Sequence, residues 1–282
     1  MRTFIPKTKV QNFQIPKREI VDSGHSACPG CGIALSLRYA LKALGKKTSL
    51  VSSERYCYDR DNPLPDSFSH VPVVRTACKT AASPVSEVRR AMNFEDKTDG
   101  TVVVWAGIEE TFKIGLQNLS KAAERSENII YVSFENETII KPKGVKIEAR
   151  ASLVDILAAL RIPYAATATV AYPEDFIGKF KKAKRIKGTR LLHLFAPCPL
   201  VWKIPENLSV QTARLAVHTG IFSLYEVQKG KKYTINVLPK RLPVEEYFRP
   251  QRRFHRLTKK QIGVIQQRVE EDLERLLRRV EG

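Results

Sequence analysis

Between residues 101 and 195 the chain repeats one unit: a short run that is apolar throughout, followed by a segment with apolar residues at helical spacing. Val102-Val103-Val104 is typical of the runs. A strand that is apolar on both faces must be covered on both faces, which is the situation of a parallel sheet between two layers of helices. The spacing predicts strands over 48–53, 101–106, 129–134, 164–169 and 191–195, and helices over 33–44, 112–125, 152–160 and 173–183. The first of these helices stops at Gly45, and the last opens on Pro173, a residue that suits a first helical position. The fold class expected is therefore α/β, a doubly wound and mainly parallel sheet, with a C-terminal extension.

Beyond residue 198 a helix is expected over 208–218, ended by Gly220, and an edge strand over 233–237. Thr258-Lys259-Lys260-Gln261 is a capping-box pattern, and Ile262, Ile265, Val269, Leu273, Leu276 and Val280 form one stripe behind it. That stripe is too short for several heptads, so it is expected to pack on the domain or on a partner. Residues 1–22 hold Pro6 and Pro16 without sustained periodicity and read as an extended docking arm. Three units follow: the arm at 1–22, an α/β domain at 23–237, and a tail with its helix at 238–282.

A hydrophobic content of 43% over 282 residues supplies a core for one large or two small domains. No apolar run approaches the ~20 residues of a membrane span, and the basic N-terminus lacks an apolar signal core. Five cysteines without such a signal argue for thiols kept reduced and for a cytoplasmic protein. The net charge of +19 makes nucleic acid the first partner to weigh. The basic clusters at 179–187, 229–232 and 249–256 come without a helix-turn-helix, zinc-finger or aromatic RNA-binding signature, so a solvated face is the plainer reading. An acidic partner subunit, an acidic ferredoxin or adaptation to heat would account for the same charge.

Cys28-Pro29-Gly30-Cys31 sits in a glycine-rich turn, and two thiols three apart are a ligand pair, a redox pair or a disulfide. Cys57 follows the 48–53 strand, and Cys198, in Ala196-Pro197-Cys198-Pro199, follows the 191–195 strand. In an open α/β sheet the carboxyl ends of the strands gather at one edge, so these thiols have a way to meet the first pair. Iron–sulfur, zinc and unlinked buried thiols all remain open at this point, with proline after the last cysteine resembling ferredoxin-type ligation. Cys78 reads as a small core residue at a helix start. A basic nucleic-acid-binding module with a structural metal is the rival from another functional class.

Several longer motifs occur in one order: Gly24-His25-x-x-Cys28-x-x-Cys31-Gly32, Ala171-Tyr172-Pro173, Ala196-Pro197-Cys198-Pro199-x-x-Trp202, Ala213-Arg214-Leu215-Ala216-Val217-x-Thr219-Gly220 and Pro243-Val244-Glu245-Glu246-Tyr247. Together they resemble the β subunit of pyruvate:ferredoxin oxidoreductase, nearly from end to end. The resemblance implies a thiamine-diphosphate-binding α/β domain that also holds a [4Fe-4S] cluster, with Cys28, Cys31, Cys57 and Cys198 at the ligand positions. It implies a subunit that accepts electrons from the oxidative decarboxylation of a 2-oxoacid with CoA. Other subunits of the complex and ferredoxin are the implied partners, with no 2-oxoacid turnover by this chain alone.

The cofactor half of the motif departs from that pattern. The family carries Gly-Asp-Gly after a strand and an asparagine almost thirty residues later, because Mg2+ must bridge the pyrophosphate to carboxylate and amide oxygens. Here Gly107, Asn136 and Thr138 stand at cofactor-binding positions, but Ile108 replaces the aspartate. An isoleucine cannot ligate magnesium; Glu109, one position on, is the carboxylate that a re-registered turn would bring toward the ion. The glycine- and threonine-rich loop of the family is cut down to Ile140-Lys141-Pro142-Lys143-Gly144, and its Cys-Leu-Glu stretch is replaced by Tyr56-Cys57-Tyr58-Asp59. The alternative implied is a degenerate homologue that no longer binds thiamine diphosphate and serves electron transfer or assembly.

Overall fold

The computed structural model describes residues 13–22, 25, 27–53, 70–76, 84–96, 99–136 and 152–281. In chain order the elements are α1 (Gly32–Leu44), β1 (Thr48–Ser53), β2 (Val73–Thr76), α2 (Pro84–Phe94), β3 (Thr101–Gly107), α3 (Ile108–Glu110), α4 (Leu116–Glu124), β4 (Ile129–Glu135), α5 (Leu153–Ala159) and β5 (Tyr164–Thr169). Then come α6 (Pro173–Arg185), β6 (Arg190–Phe195), α7 (Pro199–Trp202), α8 (Ser209–Thr219), β7 (Leu224–Gln228), β8 (Lys232–Val237), α9 (Val244–Phe248) and α10 (Lys259–Glu281).

The strands form one sheet in the order β2-β1-β3-β4-β6-β5-β7-β8. Neighbours from β2 to β5 run parallel, while β7 and β8 close the far edge as antiparallel strands. Side-chain alternation along β3 explains why its whole run is apolar. Val103 and Trp105 face one cluster with α1 and α6, whereas Val102, Val104 and Ala106 face a second with α4 and α5. Burial of each such side chain stabilises the fold by roughly 1.5–3 kcal/mol. A third, aromatic-rich cluster joins α8 and α9 to the end of the sheet through Phe195, Trp202, Phe222 and Tyr247.

The expected strands and the α/β class match the observed sheet. Differences lie where tertiary contacts override local pattern. The helix expected from residue 112 starts at Ile108 and passes through a π turn over Thr111–Gly115 before α4. Thr111 lies inside that turn, bonded to Gly107 O at 2.9 Å and to Ser133 Oγ at 3.1 Å. Gly115 sits where a Cβ would come within 2.9 Å of the Tyr131 hydroxyl. β2 and β7 were not foreseen: β2 is a four-residue edge strand, and β7 carries the charge of Glu226 into the interior. Glu226 is satisfied there by the Tyr164 hydroxyl at 2.7 Å and by Lys182. Cys78 lies outside the described residues.

The basic stretch at 179–187 is partly internal, which corrects its reading as a solvated face. Lys179 is 2% exposed and donates to Thr167 O at 2.8 Å and to Asp175 at 2.7 Å. Lys184 donates to Leu44 O at 2.5 Å. The described end of the N-terminal arm lies on this chain's own α1: Lys42 Nζ donates to Pro16 O at 2.6 Å, Arg38 pairs with Glu19, and Ile20 is buried. The capping box forms at α10, with Thr258 N–H donating to Gln261 at 2.8 Å and Gln261 N–H returning to Thr258 Oγ1 at 3.3 Å. Ile265, Leu273 and Leu276 of its stripe are buried against the domain, but Val280 is 39% exposed on the last turn. Among the described residues no helix is long and apolar enough to cross a membrane.

Two glycines separate propensity from geometry. Gly178 in α6 has open space where a Cβ would go, so Gly178→Ala is expected to stabilise the protein by about 0.5–1 kcal/mol. Gly220 ends α8 at φ +85° with Val269 Cγ1 3.2 Å from an added Cβ, so Gly220→Ala is expected to destabilise by about 1 kcal/mol or more. Chemical denaturation of both variants checks the signs; two changes of the same sign would contradict them.

Candidate functional site

β1, β3, β4 and β6 run parallel, so Ser53, Gly107, Glu135 and Phe195 end at the same sheet edge. The loop that leaves β6 carries Cys198, and the turn that opens α1 carries Cys28 and Cys31. These two loops are clamped backbone to backbone. Gly32 N–H donates to Pro197 O at 2.8 Å, and a Cβ on Gly32 would fall 2.3 Å from Pro197 Cδ. Cys31 N–H closes the turn onto Cys28 O at 3.0 Å. Gly30 takes φ +72°, with Glu206 O only 2.5 Å from where a Cβ would stand. Glycine is therefore required on both sides of Cys31, once for the turn and once for the contact.

Cys28, Cys31 and Cys198 are half-buried. Cys31 packs on the first cluster and Cys198 on the third. Among the described residues no three His, Cys, Asp or Glu side chains stand together closely enough to hold one metal ion. The structure thus brings the two cysteine-bearing loops into contact, and Cys57 lies outside the described residues. Soft thiolate donors of this kind suit an iron–sulfur or zinc centre.

Around Cys198 the aromatic cluster is organised by a cation. Arg253 lies 4.7 Å from the ring centre of Trp202 and donates to Gln251 Oε1 at 2.9 Å. Burial draws its pKa down to about 10, against the opposing fields of Tyr247, Cys198 and Glu135. Sequence reasoning placed Arg253 in a basic surface run; no local signal ties it to a tryptophan 51 positions earlier. Trp202 also donates its indole N–H to Asn136 O at 2.6 Å, linking the cysteine side of the edge to the end of β4.

The expected cofactor positions occupy that neighbouring part of the edge. Gly107 ends β3 opposite Phe134 of β4, two residues before Asn136. Ile108 is 4% exposed and belongs to the apolar cluster with Val104, Ala106 and Leu119. Glu109 is engaged by Lys113 one turn on, at 3.2 Å. Thr138 lies outside the described residues. The described residues do not fit a magnesium ion here, because a buried aliphatic side chain stands where a hard cation needs an oxygen.

No protein-family profile matches the chain. It is 40% identical to ketoisovalerate oxidoreductase subunit VorB of Pyrococcus furiosus over 302 aligned positions, covering 96% of this chain and 97% of that one. It is 37% identical to pyruvate synthase subunit PorB of Methanothermobacter marburgensis, over 92% of this chain and 97% of the relative. Among solved structures it resembles a 2-oxoglutarate:ferredoxin oxidoreductase chain from Magnetococcus marinus, with a TM-score of 0.53 at 21% identity over 73% of this chain and 82% of that one, a likeness of fold. Identity at this level along nearly the whole of both chains means that the protein belongs to the PorB and VorB subunits of the 2-oxoacid:ferredoxin oxidoreductases.

Proposed function

We propose that the chain acts as the β subunit of a 2-oxoacid:ferredoxin oxidoreductase and carries a [4Fe-4S] cluster held by Cys28, Cys31, Cys57 and Cys198. The observation that carries this reading is the clamp between Gly32 and Pro197, which brings the Cys28–Cys31 turn against the Cys198 loop. The relatives' names supply pyruvate and ketoisovalerate as examples of the 2-oxoacid class. Such a cluster, when bound, supplies one-electron transfer, in this setting between 2-oxoacid oxidation with CoA and a ferredoxin. The chain's own residues fix the spacing of the two loops and pack Cys198 against the aromatic cluster of Phe195, Trp202 and Tyr247. Arg253 places positive charge beside that thiol.

Ile108 favours a second form of the same reading. In it the subunit keeps its electron-transfer centre, while Gly107, Asn136 and Thr138 are remnants of a thiamine-diphosphate loop that no longer holds Mg2+. Other subunits of the complex then perform the decarboxylation. In either form the chain is one component of an assembly, with the arm at 1–22 and the basic tail as the segments that reach its partners.

Four outcomes are expected. Anaerobically purified protein should be brown with about four irons per chain. Cys198→Ser should bleach it and Cys78→Ser should not; equal loss in both would break the ligand set, and colourless protein with one zinc would end the electron-transfer reading. Thiamine diphosphate with magnesium should not raise the melting temperature of the wild-type complex, although a site filled at a hundredfold excess over Kd stabilises by about 2.7 kcal/mol. Magnesium-dependent stabilisation that disappears in Asn136→Ala would restore a working cofactor site. Co-expression with the neighbouring subunit genes should yield a heteromeric complex, whereas a lone monomer would remove the subunit reading.

A further inference from the structure

A cavity of about 540 Å³ lies between α10 and the second face of the sheet, a volume typical of small-molecule sites. Its apolar wall is made by Ile108, Phe112, Ile156, Phe222 and Tyr225 from the domain and by Val269 and Leu276 from α10. Its polar lining includes Glu135, at the end of β4, and His193, on β6, beside charged groups from α5 and α10. The ladder pairs His193 with Ser133, so Glu135, two residues further along β4, shares its face.

Glu135 is 3% exposed, and its Oε1 has no hydrogen-bond partner. His193 Nε2 is likewise without one and stands 3.6 Å from Glu135 Oε2, too far for a hydrogen bond. The imidazole is held edge-on by Phe222 at 5.7 Å. Neighbouring cations are otherwise engaged: Arg253 bonds Gln251, Arg279 pairs with Asp155, and Arg268 and Arg275 pair with Asp272. Leaving a buried acceptor unpaired costs about 1–3 kcal/mol, more for a charged one, and folds retain such a cost mainly where it serves a site.

We propose that this cavity binds a small organic molecule with an apolar, ring-sized body and an N–H-bearing group of the amine or amidine class, which donates to Glu135 Oε1. A carboxylate accepts and cannot donate, so the missing partner must be a donor. At the mouth Arg268, Arg275 and Arg279 pair with only two carboxylates, Asp155 and Asp272, so selection against an anion has to come from Glu135 inside the cavity. Thr167, the other hydroxyl on this row, is committed to Ser223 O at 2.7 Å. The proposal is independent of the cluster and of electron transfer.

Benzamidine is a suitable probe, with benzoate as the matched anion, titrated into the full chain and followed by calorimetry and thermal melting. Benzamidine should bind saturably and at least tenfold more tightly than benzoate. Glu135→Gln should weaken benzamidine at least tenfold while melting, without probe, at or above the wild-type temperature, since it removes an unpaired buried carboxylate. If Glu135→Gln does not fold, the comparison of benzamidine with benzoate on the wild type decides alone. No saturable binding, equal affinity for the two probes, or equal affinity of benzamidine for wild type and Glu135→Gln would overturn the proposal. Displacement of benzamidine by thiamine diphosphate with magnesium would overturn it too, by making the cavity part of the cofactor site.

Discussion

The contact between Gly32 N–H and Pro197 O is the point on which the candidate site depends. It joins positions 165 residues apart in sequence, and it is a contact between main chains with no space for a side chain on the glycine. The sheet makes it possible. β6 lies inside the parallel array, so the loop that follows it emerges at the carboxyl edge, and α1 packs with α6 on the first face. The start of α1 is thereby held at the same edge. The hydrogen bond itself contributes about 1 kcal/mol, but the surrounding burial is what makes its geometry obligatory.

The proposed cluster positions and the proposed cofactor positions share that edge and differ in what the described residues offer. On the cysteine side, half-buried thiols, tight glycines and an aromatic shell are present. On the cofactor side, Ile108 has joined the apolar cluster, where burying an aliphatic side chain of its size stabilises by roughly 1.5–3 kcal/mol. An ionised aspartate in the same surroundings would cost several kcal/mol unless an ion compensated it. The isoleucine is thus consistent with its local environment and inconsistent with a hard cation. Trp202, bonded to Asn136 O and covered by Arg253, connects the two sides.

The strands of the parallel core were legible to within a residue or so, because two-sided burial leaves an unbroken apolar run and glycine or proline marks the ends of the helices. What escaped were elements whose identity comes from distant partners. β7 hides Glu226 only because Tyr164 and Lys182 meet it, and the π turn after β3 answers to Ser133 and Tyr131 on another strand. Lys179 sits four residues after Asp175, a spacing visible in sequence, yet nothing local says that the pair is buried. The site shows the same division. Cys28, Cys31 and Cys198 stand in motifs, so their spacing is visible along the chain. Glu135 and His193 are 58 residues apart and meet only through the β4–β6 register, which no pattern along the chain encodes.

The most direct measurement is the iron content of Gly32→Ala, purified anaerobically beside wild type. Every thiol remains in this variant, and the added methyl forces Pro197 away from the start of α1. The expected result is loss of most of the iron with the far-UV helical signal unchanged. Full iron content in a folded Gly32→Ala protein would contradict the clamp as the basis of the site.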